Sequence, residues 1–149
     1  MPVLRTLFSG FDLPVLLDAY PDCGPLGGIE RGLAVARHPL VLVVAVDLPH
    51  MTSDCARWLV SRGASSAGGR LTGCPVGIVP VHNGRWEPLA ASYPRQAHSL
   101  VKEMLRGRQY AARDFVTRCL KAGWVTAESV PADHQSCFDN WNLPQDVSR

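Results

Sequence analysis

Several features are missing from this chain, and each absence narrows what it can be. No apolar run approaches the roughly 20 residues of a membrane-spanning helix; the longest, Leu40–Val46, falls far short. No charge of one sign dominates. Fifteen Lys and Arg stand against 13 Asp and Glu, a formal net charge of +2. Without a Lys/Arg cluster there is no electrostatic case for nucleic acid. The five cysteines (Cys23, Cys55, Cys74, Cys119 and Cys137) are scattered, with no C-x-x-C and no paired Cys/His spacing of the zinc-finger kind. That argues against a structural zinc site, and an odd count in a chain of this size argues against a disulfide framework. Reduced, mostly buried thiols are the expectation. The N-terminal stretch MPVLRTLFSGFDLPVLLD has a lone Arg5 and no small-residue cleavage site after a long apolar core. It does not read as a signal peptide, so a cytoplasmic location is expected.

What is present is enough for a packed core. The chain has 149 residues, 46% of them hydrophobic, and a mean hydropathy of +0.01. These values fit one domain over residues 1–149 and exclude a disordered composition.

The organising stretch is Leu40–Thr52, LVLVVAVDLPHMT. Its opening run is β-branched and lacks alternation, which predicts a strand covered on both faces, as in a parallel sheet. Asp47 would then stand at the carboxyl end, where open α/β sheets bind their ligands, and Pro49 stops the strand from continuing. An acid there can hold a divalent cation or a ligand hydroxyl. It can equally be a turn or N-cap aspartate.

Upstream, Leu13–Leu17 reads as a short strand ending at Asp18. The Pro/Gly cluster Pro21–Gly28 marks a tight loop, and Leu26, Ile29 and Leu33 give a helix period running to about Arg37. Strand, glycine-rich turn, helix and strand make a βαβ unit with parallel strands. Gly24, Gly27 and Gly28 would present backbone N–H groups at the helix N-terminus, a natural anion site, or would simply permit tight packing. The stretch matches neither the P-loop nor the dinucleotide fingerprint. Downstream, Thr52 or Ser53 caps a predicted helix over Asp54–Arg62, ended by Gly63. Pro75–Val81 reads as a second strand, and His82-Asn83-Gly84-Arg85 as a turn. Trp86–Ala91 then returns as a strand or helix start. Helices are predicted over 94–106 and 111–122, and Phe138–Asn142 alternates like a strand. His82 reads as solvated, and Glu87, which could face the cleft, reads first as a surface carboxylate.

Taken together, VLLD (Val15–Asp18), GPLGGI (Gly24–Ile29), VVAVDLPHMT (Val43–Thr52), PVHNGRWEPLAASYP (Pro80–Pro94) and FDNWNLPQD (Phe138–Asp146) resemble the molybdenum cofactor guanylyltransferase family. The resemblance runs in order over nearly the whole chain. It implies an α/β, three-layer Rossmann-like nucleotide-diphosphosugar-transferase fold with a mostly parallel sheet. It also implies transfer of GMP from GTP to molybdopterin with release of pyrophosphate. Asp47 matches the family's Mg²⁺-binding aspartate, and Asp18 the aspartate that contacts the nucleotide. Gly24, Gly27 and Gly28 match the loop beside that nucleotide, while Asn140 and Asn142 match the asparagines placed near the pterin. No stretch carries the family's L-x-G-G-x-S-x-R-M-G-x-D-K segment. An N-terminally truncated fold is therefore expected, with an exposed sheet edge, an incomplete triphosphate cradle and impaired activity. The implied partners are GTP, molybdopterin and molybdoenzyme-maturation proteins, or a second copy through the open edge. The alternatives are a non-catalytic remnant and a nucleotidyltransferase with another acceptor.

Overall fold

The computed structural model describes residues 14–65 and 74–139. Helix α1 spans Pro25–Val35, where proline occupies the first turn, whose N–H groups need no helical partner. Leu26, Ile29 and Leu33 recur at helical spacing and are buried. Gly24, just before it, has a φ of +60°, a conformation that favours glycine. Strand β1 (Leu40–Val44) follows. Helix α2 (Ser53–Ser65) starts where the Thr52 hydroxyl accepts the Cys55 N–H at 3.2 Å, an N-cap. It runs through Gly63, which does not end it.

Strands β2 (Gly77–His82) and β3 (Arg85–Trp86) form a hairpin. Asn83 and Gly84, both at positive φ, make the tight turn that the Asn-Gly pair predicts. Strand β4 covers Ala90–Pro94. The helix predicted from residue 94 divides into a 3-10 turn (Arg95–Ala97) and α3 (His98–Arg106). Helix α4 (Ala112–Lys121) ends in a Schellman motif. There Gly123, at φ +70°, donates to the Leu120 carbonyl and Trp124 donates to the Cys119 carbonyl. Strand β5 (Val125–Ser129), not foreseen from the sequence, precedes a 3-10 helix over Ala132–Phe138.

Among the described residues the pairings are mixed rather than mostly parallel. Strand β1 pairs antiparallel with β4, from Leu40 opposite Pro94 to Val44 opposite Ala90. Strand β2 pairs antiparallel with β3 and parallel with β5. The two sheets abut where β4 meets β2. The Ser92 hydroxyl accepts the Ile78 N–H at 2.9 Å and donates to the Leu59 carbonyl of α2 at 2.8 Å. Gly77 lies so close to the Ser92 carbonyl that a Cβ there would overlap it.

Helices α1, α3 and α4 cover one side, where Leu26, Leu33, Val79, Tyr93, Met104, Phe115 and Val116 share the main core. Helix α2 and the last 3-10 helix cover the other, around Leu48, Cys55, Ala90, Val130, Cys137 and Phe138. The α/β layering read from the sequence is therefore present.

Two expectations need correction. Residues 14–18 form no strand, and Val15, Leu16 and Leu17 are exposed. Strand β1 stops at Val44, short of the predicted Val46, and its residues are half-buried or exposed; Val46 beyond it is 94% exposed. Among the described residues β1 pairs with β4 alone, so its other edge has no described strand partner. The thiols behave as predicted. Cys23, Cys55, Cys119 and Cys137 are buried and unpaired, and Cys74 is exposed.

Candidate functional site

Strand β1 delivers Asp47 to a turn at its carboxyl end, half-buried, just before buried Leu48. The chain between β3 and β4 is pinned across that same end. Glu87 N–H donates to the Pro80 carbonyl at 2.9 Å, and Ala45 N–H donates to the Leu89 carbonyl at 2.7 Å. The Tyr93 hydroxyl donates to the Pro88 carbonyl at 2.8 Å. These bonds set Glu87 over the ends of β1 and β2.

The neighbour of Glu87 is His82, the last residue of β2, whose Nδ1 lies 3.9 Å from Glu87 Oε1. The other ring nitrogen faces Asn83 Nδ2 at 3.4 Å. The His82 ring also sits 5.7 Å from that of Phe138, which closes the site from the last 3-10 helix. Both readings of this pair from sequence need correction: His82 is buried and Glu87 is only 28% exposed along its side chain. The available signal was their position, flanking a tight hairpin at the carboxyl end of a strand.

Burial pushes the Glu87 carboxyl above its ordinary value, and the nearby Asp47 charge pushes it the same way. His82 and Arg85 oppose the shift. The arrangement is thus two carboxylates sharing one end of the sheet, with a histidine and an arginine beside the second. Among the described residues no three His, Cys, Asp or Glu side chains gather as a metal-ligand set. A pair of hard oxygen donors instead suits a cation that takes one or two carboxylates and completes its shell with water and phosphate oxygens.

Asp18 sits at the opening turn of α1. A Cβ on Gly27 would lie 3.1 Å from its Oδ2, so glycine at 27 is what lets the carboxylate approach the helix N-terminus. Gly28 meets only open space, and Gly24 serves the positive φ. Helix α1, about 16 Å long, returns through residues 36–39 into β1, which is about as long. The helix N-terminus and the strand's carboxyl end therefore lie at one end of the layer, with Asp18 and Asp47. No hydrogen bond or ion pair joins the two among the described residues. Asn140 and Asn142 lie outside those residues; the described chain ends at Asp139, one position past Phe138. No helix among the described residues is long and apolar enough to cross a membrane.

A protein of Pelotomaculum thermopropionicum named "Probable molybdenum cofactor guanylyltransferase" is 30% identical over 139 residues, covering 91% of this chain and 62% of the relative. One of the same name from Opitutus terrae is 28% identical over 135 residues, covering 89% of this chain and 62% of the relative. The chain thus spans less than two thirds of the length of these curated relatives. The crystal structure of molybdopterin-guanine dinucleotide biosynthesis protein A from Archaeoglobus fulgidus superimposes with a TM-score of 0.74 at 20% identity. It matches 98% of this chain and 70% of that one, a likeness of fold. Residues 2–122 match the family described as the MobA-like NTP transferase domain, and the chain belongs to that family.

Proposed function

We propose that this chain carries the cation- and acceptor-binding end of a molybdenum cofactor guanylyltransferase, moving GMP from GTP to molybdopterin. The observation that carries the reading is Asp47 beside Glu87 at the carboxyl end of β1, with Asp18 at the N-terminus of α1 on the same end of the layer. The names of the curated relatives supply the substrates.

In the reaction an oxygen of the acceptor's terminal phosphate attacks the α-phosphorus of GTP. The bond from that phosphorus to the bridging oxygen breaks, and pyrophosphate leaves with the electron pair. The acceptor phosphate is already ionised near neutral pH, so no side chain has to take a proton from it. The work of the protein is positioning and charge balance. Asp47, with Glu87 beside it, would hold a Mg²⁺ ion, which neutralises phosphate charge when bound. His82 and Arg85 hold positive potential against Glu87, keeping two carboxylates tolerable in one half-buried site. The α1 N-terminus offers backbone N–H groups to the nucleotide, and Gly28 leaves open space there. Asn140 and Asn142 are assigned to the pterin by the same reading, their amides able to donate and accept.

The test is calorimetric titration with GTP and CTP, with and without Mg²⁺. The expected result is Mg²⁺-dependent binding selective for GTP, weakened about tenfold or more, at least ~1.4 kcal/mol, by Asp47→Asn. The variant should keep the parent's circular dichroism and melting transition. Binding unchanged by Asp47→Asn refutes the assignment.

A further inference from the structure

Helix α2 meets the last 3-10 helix through two thiols. Cys55 stands in the first turn of α2, fully buried, and Cys137 near the end of the 3-10 helix, 2% exposed. One hydroxyl touches both residues. Thr52 Oγ1 accepts the Cys55 N–H at 3.2 Å and lies 3.7 Å from the Cys137 sulfur. The Cys55 thiol is also hydrogen-bonded to Cys137, a contact that adds to burial in pushing it up to about 12. Leu48, Ala90, Val130 and Phe138 complete this small apolar core. One cysteine there is an ordinary apolar filler. Two in contact, about 80 residues apart in the chain, are a dithiol able to close a long loop. The chemistry proposed above uses neither.

The two thiols are not equally protected. Cys137 lies in a seven-residue 3-10 helix, a form with poorer hydrogen-bond geometry than the α-helix. Its ties are short-range: His134 N–H to the Pro131 carbonyl, Asp139 N–H to the Ser136 carbonyl and the Gln135 side chain to the Val130 carbonyl. Such a segment opens locally before the rest of the fold. Cys55 sits on a 13-residue helix whose Leu59 carbonyl is bonded to Ser92 of the sheet.

We infer that Cys55 and Cys137 form a reversible disulfide under hydroperoxide, Cys137 meeting the oxidant and Cys55 resolving it. The Cys137 sulfur attacks the peroxide; an S–O bond forms, the O–O bond breaks, and water leaves with the thiol proton. Cys55 then attacks the sulfur of this sulfenic acid. The S–S bond forms, the S–O bond breaks, and the departing hydroxide takes the Cys55 proton as a second water. The two sulfurs lose two electrons and the peroxide gains them. Proximity stands in for thiolate character in the second step. A small dithiol returns both cysteines by exchange. The cross-link ties the segment leading from Asp47 into α2 to the helix whose Phe138 ring lies 5.7 Å from that of His82. One wall of the carboxylate site is thereby fixed. The inference stands apart from the guanylyl-transfer reading.

The test treats the native full chain with hydrogen peroxide, blocks remaining thiols in denaturant and maps unreduced peptides by mass spectrometry. The expected result is one dominant intramolecular link, Cys55 to Cys137, removed by dithiothreitol. The oxidised chain should melt roughly 5–10 °C higher, as closure of a long loop predicts. In Cys55→Ser the link is lost and dimedone traps the Cys137 sulfenic acid. Cys55→Ala serves in its place if the serine variant does not fold, and the parent's peptide map needs neither variant. Absence of the link after exposed Cys74 has been oxidised overturns the inference. So do links to Cys23 or Cys119 in equal amount, a link formed only in denaturant, or an oxidised chain that melts no higher than the reduced one.

Discussion

Ser92→Ala tests how the two halves of the site are held in register. Asp47 and Glu87 flank the β1–β4 ladder, and His82 ends β2; Ser92 is a hydrogen-bonded joint between those sheets. The residue is fully buried. Its hydroxyl accepts from Ile78 at 2.9 Å and donates to Leu59 at 2.8 Å, so alanine removes two short hydrogen bonds at once. Each contributes about 1 kcal/mol net, and an orphaned buried N–H costs about 1–3 kcal/mol more. The Leu59 carbonyl lies inside α2 and loses only a second donor, so the larger penalty falls on Ile78. A loss of about 2–3 kcal/mol is expected. In urea, with a slope of roughly 2 kcal/mol/M, this lowers the midpoint by about 1–1.5 M with the slope unchanged. Thr117→Ala is the control, because that exposed hydroxyl bonds only to the Arg113 carbonyl of its own helix. Its effect should stay within about 0.5 kcal/mol. If Ser92→Ala costs no more than Thr117→Ala, the hydroxyl is not the joint and the reasoning fails.

Glu87 gives a pH prediction of definite sign. Its folded carboxyl titrates above the ordinary value of 4.5, so the folded chain holds this proton more tightly than the unfolded chain. Stability relative to Glu87→Gln is therefore greatest below pH 4.5 and falls as pH rises through the raised folded value. Melting curves of the two proteins between pH 4 and 8 should show it, and a pH-independent difference would contradict the burial argument. The thiols should divide by environment. Cys55 and Cys119 are pushed up to about 12, chiefly by burial, which leaves almost no thiolate at neutral pH. In the native protein an aromatic disulfide reagent should label exposed Cys74 first, with Cys55 and Cys119 reacting only on unfolding. Labelling of those two at the Cys74 rate, read by peptide mass spectrometry, would refute the packing around them.

Local features of the sequence settled the elements that depend on neighbours along the chain. The spacing of Leu26, Ile29 and Leu33 and the proline in the first turn define α1. Thr52 caps α2, Asn83-Gly84 turns the hairpin, and Gly123 ends α4, because each acts through backbone geometry within a few residues. The position of Asp47 after an apolar strand was readable for the same reason. Pairing partners were not. The run Leu40–Val46 carries no mark of antiparallel pairing with β4 on one edge and no described partner on the other, since its β-branched composition suits any buried strand. Nor does composition show that Ser92 replaces a ladder bond between β2 and β4, or that Gly77 has no room for a Cβ. The candidate site divides in the same way. Asp18, Asp47 and the glycines stand in local motifs, whereas Glu87 and His82 look like surface residues until the hairpin, β1 and Phe138 come together. Burial and electrostatic neighbourhood are sums over distant segments, and only the tertiary structure brings those segments within reach.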